Sequence, residues 1–485
     1  MIEQNFPYPS EVYRYFSEFA QIPRGSGNTD AVRQWALDTA KRLNLPAYAD
    51  EAGNVIIRKP AFPGYETHPR VILQGHLDMV CAQLPSCKKD MTKEGIDLVW
   101  DGDFLRADGT TLGGDDGIAI AYAFAILENN SIPHPPLTVI LTRDEETGMD
   151  GAAGLSPASL EGSYLLNLDS EDEGIFTVGC AGGKRLDLCY PVTAAASRGT
   201  KLTLSISGLI GGHSGSEIHK PLLNANVTMV RLLSAAEVPF QLAALAGGVR
   251  DNVIPTECEA SLLLSAGDAD AFCDAVNGAL SEIRAAYPNE TGLTLHIDIA
   301  ENTEAQALSA DATAALVSAL LKLPNGVQKM NDTLHMPETS LNLGIFRLEA
   351  DGMHVDALLR SGINREKEAL AEHLRALAEE AGGSAAEASD YPAWEYVPGT
   401  DLEAAAVRVF TEQYGKPPVI QTIHAGVECG ILAAKAEGLQ CLSVGPDLFD
   451  IHTPRERLSI PSAARVWDFT AWTRFPARRK DVLFS

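Results

Sequence analysis

The chain has 485 residues, with 65 Asp and Glu against 38 Lys and Arg, and its formal charge of −27 argues against nucleic acid or an anionic membrane as the main partner. A hydrophobic content of 45% supplies a large core, and length alone suggests about three domains, with two inside the scatter. No apolar run approaches the ~20 residues of a membrane helix, and Met1-Ile-Glu-Gln-Asn-Phe-Pro7 lacks the basic and apolar regions of a signal peptide, so a cytoplasmic protein is expected. The cysteines (Cys81, Cys87, Cys180, Cys189, Cys258, Cys273, Cys429, Cys441) are scattered and form no C-x-x-C pair. They read as reduced thiols, and their spacing speaks against a structural zinc–thiolate site.

Ser10 reads as the N-cap of a first helix carrying Val12, Phe16 and Phe19. A second helix follows Asn28-Thr-Asp30, with Val32, Trp35, Ala36, Thr39 and Leu43 on one face. Short strands at Ala47–Ala49 and Val55–Ile57 flank the Glu51-Ala-Gly-Asn54 turn. Val71-Ile-Leu-Gln-Gly75 reads as a buried strand that stops at its glycine. In an open parallel sheet, His76 and Asp78 would then lie in the crevice past its carboxyl end. There His76 can ligate a metal through one ring nitrogen while Asp78 holds the other N–H.

Residues 81–112 are polar and irregular. Asp108-Gly-Thr-Thr-Leu-Gly-Gly-Asp-Asp-Gly117 then leads into an apolar helix to Leu127, with Asp115 and Asp116 at its N-terminus. Leu137–Thr142 is a second buried strand, ending in Arg143-Asp-Glu-Glu146, and Tyr164–Leu168 a third, ending at Asp169. Each motif alone is an ordinary strand end or helix cap. Three successive strands delivering a histidine or an acid at the same end is the pattern of a metal centre on a parallel sheet.

Beyond Gly179-Cys-Ala-Gly-Gly183 the strands alternate, as in Lys201–Ile206, which predicts a half-exposed antiparallel sheet. Gly211-Gly-His-Ser-Gly215 runs into a helix with Leu222, Leu223, Val227 and Val230. Strands at Cys258–Leu264, Leu293–Ile299 and Leu341–Leu348 alternate with helices at Ala269–Tyr287 and Ala310–Leu321, and a helix from Glu366 buries Leu370, Leu374 and Leu377. Asn325–Thr339 reads as a hinge or loop, and Gly382–Ala388 as a small-residue link. After Trp394 the α/β pattern resumes with strands at Val419–Thr422 and Gln440–Val444. His452-Thr-Pro454 follows in a loop, and a last helix carries Val466, Phe469 and Thr473. The expectation is an α/β domain with a mostly parallel sheet, in two pieces at 1–185 and 396–485, holding an inserted α+β domain at 186–395.

Collected, His76, Asp115, Glu145, Glu146, Asp169 and His452 are oxygen and imidazole donors without thiolate, a set that suits zinc, manganese or cobalt. Two histidines and three carboxylates suffice for two metals about 3.5–4 Å apart with one bridging carboxylate. One carboxylate is left over as a general base.

In this order the residues resemble the co-catalytic dizinc peptidase family that includes the aminoacyl-histidine dipeptidases. Gly75-His-Leu-Asp78, Leu112-Gly-Gly-Asp-Asp-Gly117, Asp144-Glu-Glu146 and His452-Thr-Pro454 match the wider family. Asp169-Ser-Glu-Asp-Glu-Gly174, Gly179-Cys-Ala-Gly-Gly183, Gly211-Gly-His-Ser-Gly215 and His424-Ala-Gly-Val-Glu-Cys-Gly430 look like the dipeptidase branch. The resemblance covers nearly the whole chain. It implies a zinc-peptidase catalytic domain with an inserted lid that binds substrate, and cleavage of unblocked dipeptides, Xaa-His such as β-alanyl-histidine among them. It further implies His76 and Asp169 on one zinc, Glu146 and His452 on the other, and Asp115 between them. Asp78 would orient His76, and Glu145 would be the general base.

The resemblance also implies a cis peptide at Asp115–Asp116. Relatives commonly carry Asn at the second position, so which acid bridges stays open. His213, in its glycine loop, could reach the oxyanion, and Asn252 and Arg360 could bind the substrate's terminal carboxylate. His424 and Glu428 match the dipeptidase pattern, and packing behind the metal site is the role expected of them. Rival readings are an N-acyl-amino-acid amidohydrolase on the same metals, a dimetal phosphoesterase and a catalytically silent binding protein. The phosphoesterase's Asp-x-His and Asn-His-Asp sets are missing, and the silent protein is opposed by intact ligand and base positions. An exposed edge on the inserted sheet is compatible with a homodimer.

Overall fold

Two hydrophobic cores divide the chain. The computed structural model describes residues 6–471, which form two units. One unit runs to Gly179 and takes in Tyr396–Thr422 and the chain from Val427, while the other holds Cys180–Glu395 and Ile423–Gly426.

The first unit is built on an eight-stranded sheet. Its order is Ala47–Ala49, Val55–Lys59, Leu137–Thr142, Val71–His76, Tyr164–Asn167, Gln440–Ser443, Ile175–Cys180 and Val419–Ile423. The four strands from Leu137–Thr142 to Gln440–Ser443 are parallel, with antiparallel pairs on either side of them. Val71–His76 and Leu137–Thr142 are buried along their whole length, as strands covered on both faces must be. The helix Gly114–Glu128 packs on Val71–His76 and on the helix Ser10–Phe19, and it is buried all round to Leu127, with no polar face to present. Gly75 permits that approach. A Cβ there would collide with the Asp116 carboxylate and the Ala119 methyl.

Local details differ from the sequence expectation. Ser10 is the first helical residue, not the cap: Pro9 holds the N-cap position, and the Ser10 hydroxyl bonds to Glu11 instead of capping. The Val71 strand continues through Gly75 to His76, since both residues still pair with Leu141 and Thr142. The last helix covers Ile460–Ala471, so Thr473 lies outside the described residues.

The second unit is a nine-stranded antiparallel sheet. Eight strands run in the order Thr294–Ala307, Ala195–Ser207, Cys258–Leu264, Phe240–Gly247, Met336–Leu348, Met353–Ser361, Gly182–Tyr190 and Ser384–Tyr391. Apolar residues of the helices Ala225–Ser234, Ala269–Ala286, Ala310–Lys322 and Asn364–Glu380 complete its core.

Three expectations are corrected here. Asn325–Thr339 is no loop: Gly326–Asn331 pairs with Met336–Leu348, and the Asn331 side chain closes the turn by accepting the N–H groups of Thr333 and Leu334. Gly382–Ala388 is no link: Ser384–Tyr391 is an edge strand on Gly182–Tyr190, where backbone pairing makes up for small side chains. Leu222 and Leu223 precede their helix, which Asn224 caps by accepting the Val227 N–H at 3.2 Å.

Candidate metal centre

Three adjacent parallel strands of the first unit end on the same edge. Val71–His76 ends in His76, Leu137–Thr142 leads to Glu145 and Glu146, and Tyr164–Asn167 leads to Asp169. Asp115 and Asp116 open the helix Gly114–Glu128 with non-helical dihedrals and a cis peptide bond between them. His452 joins from a loop, held at a φ of 60°, a left-handed conformation that non-glycine residues adopt chiefly where the surroundings enforce it.

Asp115 sits in the middle. Its Oδ1 is 3.0 Å from His76 Nε2 and its Oδ2 is 3.0 Å from His452 Nε2. His452 Nε2 is also 3.0 Å from Glu146 Oε2, and His76 Nε2 is 3.6 Å from Asp169 Oδ1. Asp78 Oδ1 faces His76 Nδ1 at 3.4 Å. The same carboxylate accepts the Glu145 and Glu146 N–H groups at 3.0 and 3.3 Å and the Ser26 hydroxyl at 2.8 Å. Asp116 Oδ2 accepts the His76 backbone N–H at 3.0 Å. Two overlapping trios, His76–Asp115–Glu146 and His76–Asp116–Asp169, each bring their donor atoms within 4.8 Å of one another.

This much negative charge in an enclosed place shifts the titration of several of these groups. Burial, then the neighbouring acids, pushes Asp169 well above the carboxylate range. Glu145 is pushed up to about 8 by burial and by Glu428, Glu146 and Asp115, against the opposing pull of His76. Hydrogen bonds to Asp115 and Glu146 raise His452 to about 10. Burial works against a charged His76, yet Asp169, Asp115 and Asp78 outweigh it and drive its pKa well up. Asp78 also overcomes its burial, held down to about 2 by His76, Ser26 and the Glu145 N–H. Buried carboxylates in excess of imidazoles form a field that attracts a divalent cation. The Glu146 Oε1 is buried with no hydrogen-bond partner among the described residues. Oxygen and imidazole donors around such an orphan fit zinc, manganese or cobalt.

Buried groups behind the donors hold them in place. Glu456 accepts the N–H groups of Leu112, Gly113, Gly114 and Asp115 at 2.8, 2.9, 2.7 and 3.3 Å. It thereby ties the His452 segment to the Asp115 loop. Arg24 donates to the carbonyls of Leu77 and Asp78 at 2.9 and 2.7 Å and to that of Gly113. Glu428 Oε2 accepts from Gln74 Nε2 at 2.6 Å and Thr142 Oγ1 at 2.7 Å, and Gln74 Oε1 accepts from Asn167 Nδ2 at 2.7 Å. That chain crosses the three strands just before their metal-centre residues. Sequence reasoning missed Glu456 and Arg24. The only local signal for Glu456 is its place four residues after His452, and Arg24 has none.

His213, Asn252 and Arg360 belong to the second unit. His213 Nδ1 accepts the N–H groups of Gly215 and Ser216 at 3.2 and 3.3 Å, which leaves Nε2 as the donor. Asn252 is beside it, its carbonyl accepting the Ser214 N–H at 2.9 Å. Arg360 is buried and donates to the Tyr391 hydroxyl at 2.9 Å, and its Nε has no hydrogen-bond partner among the described residues. His424 falls in this unit too and pairs with Ser340 at 2.7 Å, while Glu428 belongs to the first unit.

No family model matches the chain. It is 35% identical over 467 residues to the cytosol non-specific dipeptidase of Escherichia coli, covering 95% of this chain and 96% of that protein. The solved structure of aminoacylhistidine dipeptidase from Vibrio alginolyticus matches with a TM-score of 0.88 and 34% identity, over 96% of each chain. The aminopeptidase PepT of Bacillus cereus, 16% identical over 95% of this chain and 96% of its own with a TM-score of 0.55, shares the fold.

Proposed function

The chain belongs to the family of the cytosol non-specific dipeptidase, and on that premise we propose that it hydrolyses unblocked dipeptides, Xaa-His among them, at a centre of two divalent metals. The observation that carries this reading is Asp115, which meets His76 with one oxygen and His452 with the other. We take Asp115 as the bridge, with His76 and Asp169 on one side and Glu146 and His452 on the other. The bound metals would acidify the attacking water and polarise the scissile carbonyl.

This chain's own groups do the rest. Asp78 faces Nδ1 of His76 at 3.4 Å, on the side of the ring away from Nε2, while its bonds to the Glu145 and Glu146 N–H groups set the base beside a ligand. Glu145 removes the proton of the attacking water and hands it to the leaving amine. The Nε2–H of His213 suits a developing oxyanion, and Arg360, with Asn252, suits the substrate's terminal carboxylate. Zinc is the metal that the donor set favours. Among the described residues no helix is long and apolar enough to cross a membrane. We place the enzyme in the cytoplasm, and a homodimer is its assumed assembly.

The test is cleavage of β-alanyl-histidine and leucyl-histidine by wild type and Glu145→Gln, each stripped with chelator and resupplied with zinc. Zinc should restore cleavage in wild type, and the variant should lose about 10²–10⁴-fold while still binding metal. If metal-loaded wild type leaves every free dipeptide intact, the reading fails, and N-acetyl amino acids become the substrates to try.

A further inference from the structure

Four neighbouring strands of the second unit's sheet place Ser340, Arg360, Gly183 and Tyr391 in one row, each directly opposite the next. Residues opposite one another in an antiparallel sheet share a face. Gly183 has no side chain, so the row has a gap between Arg360 and Tyr391. The Tyr391 ring occupies that gap. A Cβ on Gly183 would run into the ring and its hydroxyl, and one on Gly426 would lie 2.6 Å from the ring's Cε2. The glycines of Gly179-Cys-Ala-Gly-Gly183 and His424-Ala-Gly-Val-Glu-Cys-Gly430 have no part in the metal centre, and one from each makes room here for the same tyrosine.

Leaning across Gly183, the Tyr391 hydroxyl accepts a hydrogen bond from Arg360 Nη1 at 2.9 Å, and its own proton has no acceptor among the described residues. Arg360 is only 6% exposed, yet among the described residues it forms no ion pair, and its Nε has no hydrogen-bond partner. Asp251, an acid whose charge is felt at Tyr391, is taken by Arg185. Burial, and then the charge of Arg360, lower the pKa of His213 and of His424, so the guanidinium's field reaches both imidazoles. A buried guanidinium without a counter-charge is costly, and its forked donors match a carboxylate.

We propose that Tyr391 is a specificity-determining residue for the dipeptide's free C-terminus: its hydroxyl fixes the guanidinium of Arg360 and donates its own proton to the same substrate carboxylate. The inference rests on the reading of Arg360 given under the proposed function. The pair prefers a free C-terminus because a carboxylate brings the missing counter-charge and accepts from both residues. An amidated C-terminus brings no charge and sets its own N–H groups against these donors. Nothing local in the sequence marks Tyr391, since the glycines that make room for it lie far from it along the chain.

Glu145→Gln leaves substrate uncleaved, so calorimetry on the full-length, zinc-supplied variant reads binding directly. Leucyl-histidine should bind at least about tenfold tighter than leucyl-histidine amide. Adding Tyr391→Phe, which keeps the ring and removes only the hydroxyl, should weaken leucyl-histidine about tenfold, the range of a hydrogen bond to a charged group, and leave the amide within about twofold. In the active enzyme the same substitution should raise KM for leucyl-histidine and leave kcat nearly unchanged. Unchanged affinity for leucyl-histidine in Tyr391→Phe, or an equal loss for acid and amide, overturns the role of Tyr391, as does a fall in kcat with KM unmoved. If wild type cleaves no dipeptide while Tyr391→Phe still weakens the acid alone, the dipeptidase reading falls and the carboxylate clamp stands. Binding of neither ligand overturns both.

Discussion

Asp115 and Asp116 are adjacent, alike and both buried, yet their neighbours give them different work. Asp115 faces two imidazoles, which hold its pKa far below the usual carboxylate range despite burial. Asp116 accepts one backbone N–H, and burial together with Asp169 pushes its pKa well up. An amide can accept that N–H as well as a carboxylate does, and it brings no charge to bury. Asp116→Asn should therefore keep its metal and stay within a few-fold of wild-type kcat/KM. Asp115→Asn should lose metal on dialysis and at least ~10³-fold in kcat/KM, since it removes one charge from the set that binds the ions. Equal damage from the two substitutions would refute the assignment of the bridge. Asp78→Asn tests the support of His76: a drop of about 10–100-fold in metal affinity or activity is expected.

At the level of elements, the centre depends on how the Asp115 loop is pinned to the His452 segment. Glu456 is the pin, with one carboxylate spread over four consecutive N–H groups at the mouth of the helix Gly114–Glu128. Its negative charge also suits the helix N-terminus. Glu456→Ala would strand those donors in a dry place, at a cost of about 1–3 kcal/mol for each one left unpaired. Urea unfolding should show a clear loss of stability, and metal titration should show weaker binding even though no ligand is touched. Normal metal affinity in a destabilised Glu456→Ala would mean that the loop holds its shape by packing alone. The helix Gly114–Glu128 itself was easy to anticipate from its apolar run. The hairpin of Gly326–Asn331 with Met336–Leu348 and the edge strand Ser384–Tyr391 were not, since each becomes a strand only by pairing with a distant partner.

For the whole molecule, acid stability should register a histidine far in sequence from the ligands of the first three strands. Burial and the nearby Arg360 lower His424 to about 3, so it is neutral in the fold. An unfolded histidine takes a proton near pH 6.5. Between those values the unfolded chain binds more protons than the folded one, so stability falls as pH drops through the window. From pH 7 to pH 5 this group alone should remove about 2 kcal/mol of stability. His424→Gln, which can still bond to Ser340, should unfold with a shallower pH dependence in urea. An unchanged slope would mean that His424 is protonated in the fold.

The linear order of residues determined the chemistry and most of the frame. Apolar runs ending in His76, in Glu145 and Glu146, and in Asp169 are legible because strand burial and the residue that follows it are both local properties. The change from continuous to alternating apolar residues beyond Gly183 marked the switch between the two kinds of sheet for the same reason. Tertiary structure alone decided the rest. It set Asp115 between the rings of His76 and His452 and Asp116 on the backbone N–H of His76. It put Glu456 on four N–H groups and Arg24 on three carbonyls, and it laid Tyr391 across Gly183 onto Arg360. Each of those outcomes depends on which distant backbone or side chain arrives next to a group, and no periodicity or spacing along the chain encodes that meeting.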